Sequence, residues 1–143
     1  MIRLVVIGHG TFASGLVSAI ELIFGSRSYI EVVEFQDGET KRELDTKVDL
    51  ALKCSSEGER IIALCDVLQG SPFQSIAVQA LSRKDMRVVF GVNLPMLIEC
   101  VSMIEAGESD ADVLIERMLL TGRDQIGEFE PRLSSSYQDD DWS

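Results

Sequence analysis

Apolar residues recur along this chain in two alternating rhythms. Residues 2–7, IRLVVI, form a nearly unbroken apolar, β-branched run of the kind a strand shows when both of its faces are covered. From Phe12 the spacing changes: Phe12, Leu16, Ala19, Ile20 and Ile23 fall on one stripe of a helix, and Gly25 is placed to stop it. The cycle then repeats. YIEVVEF (29–35) predicts a second strand, DGE a turn, and Leu44, Val48, Ala51 and Leu52 the inner face of a second helix. RIIALCDV (60–67) predicts a third strand, followed by a helix that Ser71 caps and Pro72 opens, with Phe73, Ile76, Ala77, Ala80 and Leu81 on its apolar face. MRVVFGV (86–92) predicts a fourth strand, and a further helix runs from near Pro95 to Gly107. In SDADVLIERMLLTG, Ser109 and Asp112 stand at capping-box spacing and Gly122 closes the helix. IGEFE (126–130), halted by Pro131, is a candidate edge strand.

Strands that alternate with helices imply an α/β fold: a doubly wound, mainly parallel sheet with helices on both faces, joined by right-handed crossovers. For four or five strands the order 2-1-3-4 fits better than a six-strand dinucleotide fold. One domain is expected over residues 1–133, and the polar, acidic residues 134–143 are expected to form a disordered tail.

Composition narrows the classes. The 143 residues are 45% hydrophobic and 26% charged, values of a globular domain rather than a disordered or membrane chain. Thirteen basic against 24 acidic residues give a net charge of -11, which opposes a nucleic-acid partner because phosphate contacts need clustered Lys and Arg. The apolar stretch near Met1 is too short for a signal peptide or a membrane span. Cys54, Cys65 and Cys100 are odd in number and lack a C-x-x-C spacing, so reduced, buried thiols and a cytoplasmic location are expected. A single His with scattered Cys cannot supply a zinc set, and neither metal nor cofactor is expected.

The candidate chemistry lies where two strands end. VIGHGTFASG (6–15) holds the only histidine, His9, between Gly8 and Gly10 and just before a helix. In the 2-1-3-4 order, ligands bind outside the carboxyl ends of strands one and three. The loop after strand three, DVLQGSP, brings Asp66 and Ser71 to that crevice. A carboxylate on one ring nitrogen fixes the tautomer, leaves the other lone pair outward and stabilises the positive charge that grows on attack, which makes His9 a nucleophile with Asp66 as its support. Helix-start amides at Gly10, with the Thr11 and Ser71 hydroxyls, offer donors to an anion such as phosphoryl. The bland readings are a histidine closing a strand end, an acid capping a loop, and Ser71 as an ordinary helix cap.

Other classes fit less well. A flavodoxin-like carrier needs a Ser/Thr-rich phosphate loop and flanking aromatics. A receiver domain would phosphorylate Asp66 itself but needs an acidic pair after strand one, where this chain has GHGT. Neither G-x-G-x-x-G nor G-x-x-x-x-G-K-[ST] occurs, against a nucleotide site. A non-catalytic interaction or regulatory domain stays open.

Three motifs in order, VIGHGTFASG, DVLQGSPF and GVNLPMLIE, resemble the enzyme IIA family of the mannose-type bacterial sugar phosphotransferase system, over residues 1 to about 131. The resemblance implies a four-stranded parallel core and a fifth, antiparallel strand, here IGEFE, exchanged between the subunits of a homodimer. It also implies a phosphotransferase in which His9 accepts phosphoryl from the carrier protein HPr through Nε2 and passes it to enzyme IIB, with Asp66 holding the ring. Contact with the membrane would be indirect, through the IIC/IID permease. Gln69 stands where the family usually has the first of two glycines. The related phosphotransfer subunit of dihydroxyacetone kinase, with Ser typically following its active histidine, is the second reading; here that residue is Gly10.

Overall fold

The computed structural model describes residues 1–53 and 58–131. Strands and helices alternate as β1 (Ile2–His9), α1 (Phe12–Phe24), β2 (Ile30–Phe35), α2 (Lys41–Lys53), β3 (Arg60–Cys65), α3 (Ser71–Leu81) and β4 (Met86–Val89), and two helices follow, α4 (Leu94–Glu105) and α5 (Ala111–Asp124). The four strands form one parallel sheet in the order β2-β1-β3-β4. This is the doubly wound arrangement that the alternating pattern predicts.

Two faces of apolar side chains explain why β1 reads as a continuous run. Leu4 and Val6, with Ile62 and Leu64 of β3, pack beneath α1, α4 and α5. Val5 and Ile7, with Ile61 and Ala63, pack beneath α2 and α3, where Leu44, Val48, Leu52 and Ile76 are buried. A side chain of this size contributes about 1.5–3 kcal/mol when fully buried, so the central strands anchor the fold. Cys65 and Cys100 are free and buried, and burial pushes both thiols up to about 12. Cys54 and the predicted tail lie outside the described residues.

Several boundaries differ from the pattern, each for a local reason. Strand β1 runs two residues past its apolar stretch, because His9 still pairs with Phe35 of β2 and the Gly10 amide donates to the Phe35 carbonyl at 2.8 Å. Strand β3 ends at Cys65, whose carbonyl accepts the Val92 amide, and the chain turns at Asp66. Helix α5 is capped by Asp110, which accepts the Asp112 amide, while the Ser109 amide is taken by Glu108; Ser109 is therefore a turn residue and not the cap.

Gly122 does not end α5. The helix continues to Asp124, and a Cβ at residue 122 would stand 2.3 Å from Cγ of Met96, so this glycine exists for close packing of α5 on α4. Asn93 ties the same two helices: its Oδ1 accepts the Met96 amide as the cap of α4, and its Nδ2 donates to the Gly122 carbonyl. Residues 126–130 form no strand in this chain, so the predicted edge strand is not part of its sheet. Among the described residues, no helix is long and apolar enough to cross a membrane.

Candidate functional site at the carboxyl end of the sheet

The carboxyl ends of β1 and β3 lie side by side, with Ile7 opposite Cys65. The next residues therefore stand at the same level, and Asp66 reaches across to His9. Oδ2 of Asp66 meets Nδ1 of the ring at 2.7 Å and also accepts the His9 backbone amide at 2.9 Å. The other oxygen, Oδ1, accepts the Val67 amide at 2.8 Å. Burial by itself raises the Asp66 carboxyl, but the His9 amide, the His9 ring and the Val67 amide outweigh it and hold the group below its ordinary value of 3.8. Asp66 is accordingly an acceptor at neutral pH, Nδ1 carries the proton, and the lone pair is left on Nε2.

Two glycines make room for this arrangement. A Cβ on Gly8 would stand 2.9 Å from the Phe12 ring and 3.1 Å from Cγ of Asp66, so Gly8 admits the carboxylate. A Cβ on Gly70 would stand 3.0 Å from Cε1 and 3.1 Å from Nε2 of His9, at a φ of +116° that side-chain-bearing residues rarely adopt. Gly70 thereby keeps the free nitrogen uncovered. The Phe35 ring lies edge-on to the imidazole, 6.3 Å between centroids, and limits its swing from the other side. The His9 side chain keeps 49% of its exposure while that of Asp66 keeps 10%, so the imidazole is open to water and the carboxylate that holds it is not.

The remaining predicted residues take parts other than those expected. Gly10 lies at a φ of +56° and supplies the turn into α1; its amide is engaged by Phe35 and is not a free donor. Thr11 occupies the cap position of α1, but its side chain makes no capping bond. Ser71 is the first residue of α3 and Gly70 holds the cap position, so the predicted capping role of Ser71 is corrected by one residue: with Pro72 next, the left-handed turn falls on the glycine. Sequence reasoning assigned neither Gly70 nor Phe35 to the site. The first is legible only as a glycine beside a helix start, and the second gives no signal before β2 is known to flank β1. Phe12, Val67 and Leu68, which follow the ends of β1 and β3 in the chain, are exposed. Among the described residues, no group of three His, Cys, Asp or Glu could hold a metal ion.

A family model described as "PTS system fructose IIA component" matches residues 3–117. The chain belongs to this family, the mannose-type enzyme IIA components of the phosphotransferase system. It is 33% identical to the "PTS system fructose-specific EIIA component" of Bacillus subtilis (strain 168) over 105 residues, covering 73% of this chain and 72% of that protein. It is 28% identical to the "PTS system mannose-specific EIIAB component" of Escherichia coli (strain K12), over 85% of this chain but only 38% of that longer protein. Among solved structures, the phosphotransferase system component EIIA from Streptococcus agalactiae superposes with a TM-score of 0.80 at 26% identity, covering 90% of this chain and 98% of that one. An enzyme IIA component is a phosphotransferase in general kind.

Proposed function

We propose that this enzyme IIA component carries phosphoryl on Nε2 of His9, accepting it from the phosphohistidine of HPr and passing it to enzyme IIB for coupled sugar uptake. The observation that carries the reading is the 2.7 Å contact of Asp66 on Nδ1, which leaves Nε2 as the nucleophilic nitrogen at an exposed edge. In the accepting step the Nε2 lone pair forms the new N–P bond as the donor's P–N bond breaks, and that electron pair returns to the donor's ring nitrogen. No proton need move, because Nδ1–H stays on Asp66 while the ring becomes cationic. Phosphoryl transfer asks mainly for in-line positioning and charge stabilisation, which an anchored imidazole beside two helix starts supplies. Thr11 and Ser71 are the hydroxyl donors in this reading. The net charge of -11 and the exposed apolar Phe12, Val67 and Leu68 suit brief encounters with basic carriers, first HPr and then IIB.

Residues 126–130 complete the proposal as the strand exchanged in a homodimer. Strand β4 is one of the sheet's two edges, and beside it lies a groove of about 460 Å³ lined by residues that include Val88, Phe90, Leu119 and Ile126. Residues 1–133 then form the transfer domain, and 134–143 serve no step in it.

The test is incubation with phosphoenolpyruvate, enzyme I and HPr, followed by assay for acid-labile, base-stable phosphate. Wild-type protein is expected to label once per chain and His9→Gln not at all. Equal labelling of His9→Gln in a folded state would overturn the assignment.

A further inference from the structure

Helix α1, which starts immediately beyond His9, takes its cap from another strand. Thr11 makes no side-chain capping bond and the first turn of α1 holds no acidic residue. Instead Glu34, twenty residues away on β2, reaches the third helical position: its Oε2 accepts the Ser14 hydroxyl at 2.6 Å and the Ser14 amide at 3.1 Å. In the sheet register Glu34 stands opposite Gly8. Asp66 stands on the other side of Gly8, at the close contact already described. Two carboxylates therefore flank the same buried glycine, one clamped to the imidazole and one to the start of the helix.

Their charges are balanced differently. Asp66 is paired with the ring that becomes cationic on phosphorylation. Among the described residues, the hydrogen-bond partner of the Glu34 carboxylate is the neutral Ser14, and Lys47, on α2, bonds the Glu34 backbone carbonyl while pairing with the carboxylate of Glu39 at 2.6 Å. Neighbouring strands are about 4.8 Å apart, and Glu34 and His9 lie on neighbouring strands one step apart in register. A phosphoryl group on His9 carries nearly two negative charges, and the half-buried position of Glu34 screens their repulsion incompletely.

From this juxtaposition, and resting on the phosphohistidine reading above, we infer that Glu34 is a positioning residue with a second effect: it fixes the start of α1 through Ser14, and its charge weakens the hold of His9 on phosphoryl and favours its release. When the P–N bond breaks, the electron pair returns to Nε2 and the phosphoryl leaves for the accepting nitrogen or water, relieving the repulsion. Without that charge the protein would be a better acceptor and a poorer donor.

Glu34→Gln tests the charge, because its amide oxygen can still accept from Ser14. Two readouts are taken: the phosphorylated fraction at equilibrium in a fixed ratio of phospho-HPr to HPr, and the half-life of phosphohistidine formed with phosphoramidate, which loses ammonia as it phosphorylates the ring. Glu34→Gln is expected to raise the equilibrium constant roughly three- to tenfold and lengthen the half-life, with both effects shrinking in high salt. Ser14→Ala, which keeps the charge and loses only the hydroxyl, should lower thermal stability and leave the equilibrium near that of wild type. Unchanged equilibrium and half-life in Glu34→Gln would overturn the inference and leave Glu34 a helix cap alone. Labelling of wild type by phosphoramidate but not by phospho-HPr would sink the carrier reading while the half-lives still decide the role of Glu34; labelling by neither would overturn both.

Discussion

Replacing Asp66 by Asn gives the sharpest test of how the imidazole is held. The carboxylate accepts three hydrogen bonds, two on Oδ2 from His9 and one on Oδ1 from Val67. An amide has one oxygen and one NH₂, so it cannot accept on both sides. Turned with its oxygen to His9, it aims a donor at the Val67 amide; turned the other way, it aims a donor at Nδ1 and the His9 amide. The second orientation reverses the tautomer and places the proton on Nε2, where the lone pair is needed. Hydrogen bonds to a charged group contribute about 1.5–3 kcal/mol each, and the ring also loses the partner of its developing positive charge. A rise of about 3–5 kcal/mol in the transfer barrier corresponds to a rate reduction of roughly 10²- to 10⁴-fold. Rapid-quench labelling from phospho-HPr measures it, with circular dichroism to verify the fold.

The same carboxylate sets a pH window. Its native pKa lies below the ordinary 3.8, so its contribution to stability is fully present above that value and disappears as pH falls through the lower native value. Asp66→Asn should therefore be less stable than wild type at pH 7, with the difference narrowing below about pH 4 as wild type loses its own carboxylate. A wild-type transfer rate in Asp66→Asn, or a stability gap that does not depend on pH, would refute the account of Asp66 as a fixed acceptor.

Two glycines give contrasting expectations. Gly70→Ala brings a methyl to about 3 Å from the nucleophilic edge of His9 at a positive φ, and should slow labelling at least tenfold while costing about 1–2 kcal/mol in denaturant unfolding; unimpaired labelling would show that the loop yields freely. Gly122→Ala drives a methyl into Met96 on the far helices and should cost about 1–3 kcal/mol of stability while leaving the rate per folded molecule unchanged. A large rate loss there would show that the α4–α5 contact reaches the site.

Much of this molecule is legible before any coordinate is known. The alternation of continuous apolar runs with helical stripes specifies a parallel sheet, because strands buried on both faces by crossover helices have little room for polar residues. The strand order follows from length and strand number, and the crevice follows from the order. His9 and Asp66 could be singled out because each is a polar residue placed at the end of an apolar strand, where the chain leaves the core. Glycines were harder to read. Gly122 looks like a helix stop along the chain and is a packing contact in space, and Gly70 acquires its meaning only from the ring that stands over it.

What the sequence alone determined is the periodicity, hence the layers of the fold and the level at which its chemistry must sit, since periodicity is a local property that burial enforces residue by residue. Only the tertiary structure decided which oxygen of Asp66 meets Nδ1, that Phe35 bounds the ring, and that Glu34 on β2 caps a helix begun on β1. Those are meetings across strands, and hydrogen bonds of 2.6–3.1 Å depend on register and side-chain reach that no spacing along one chain encodes.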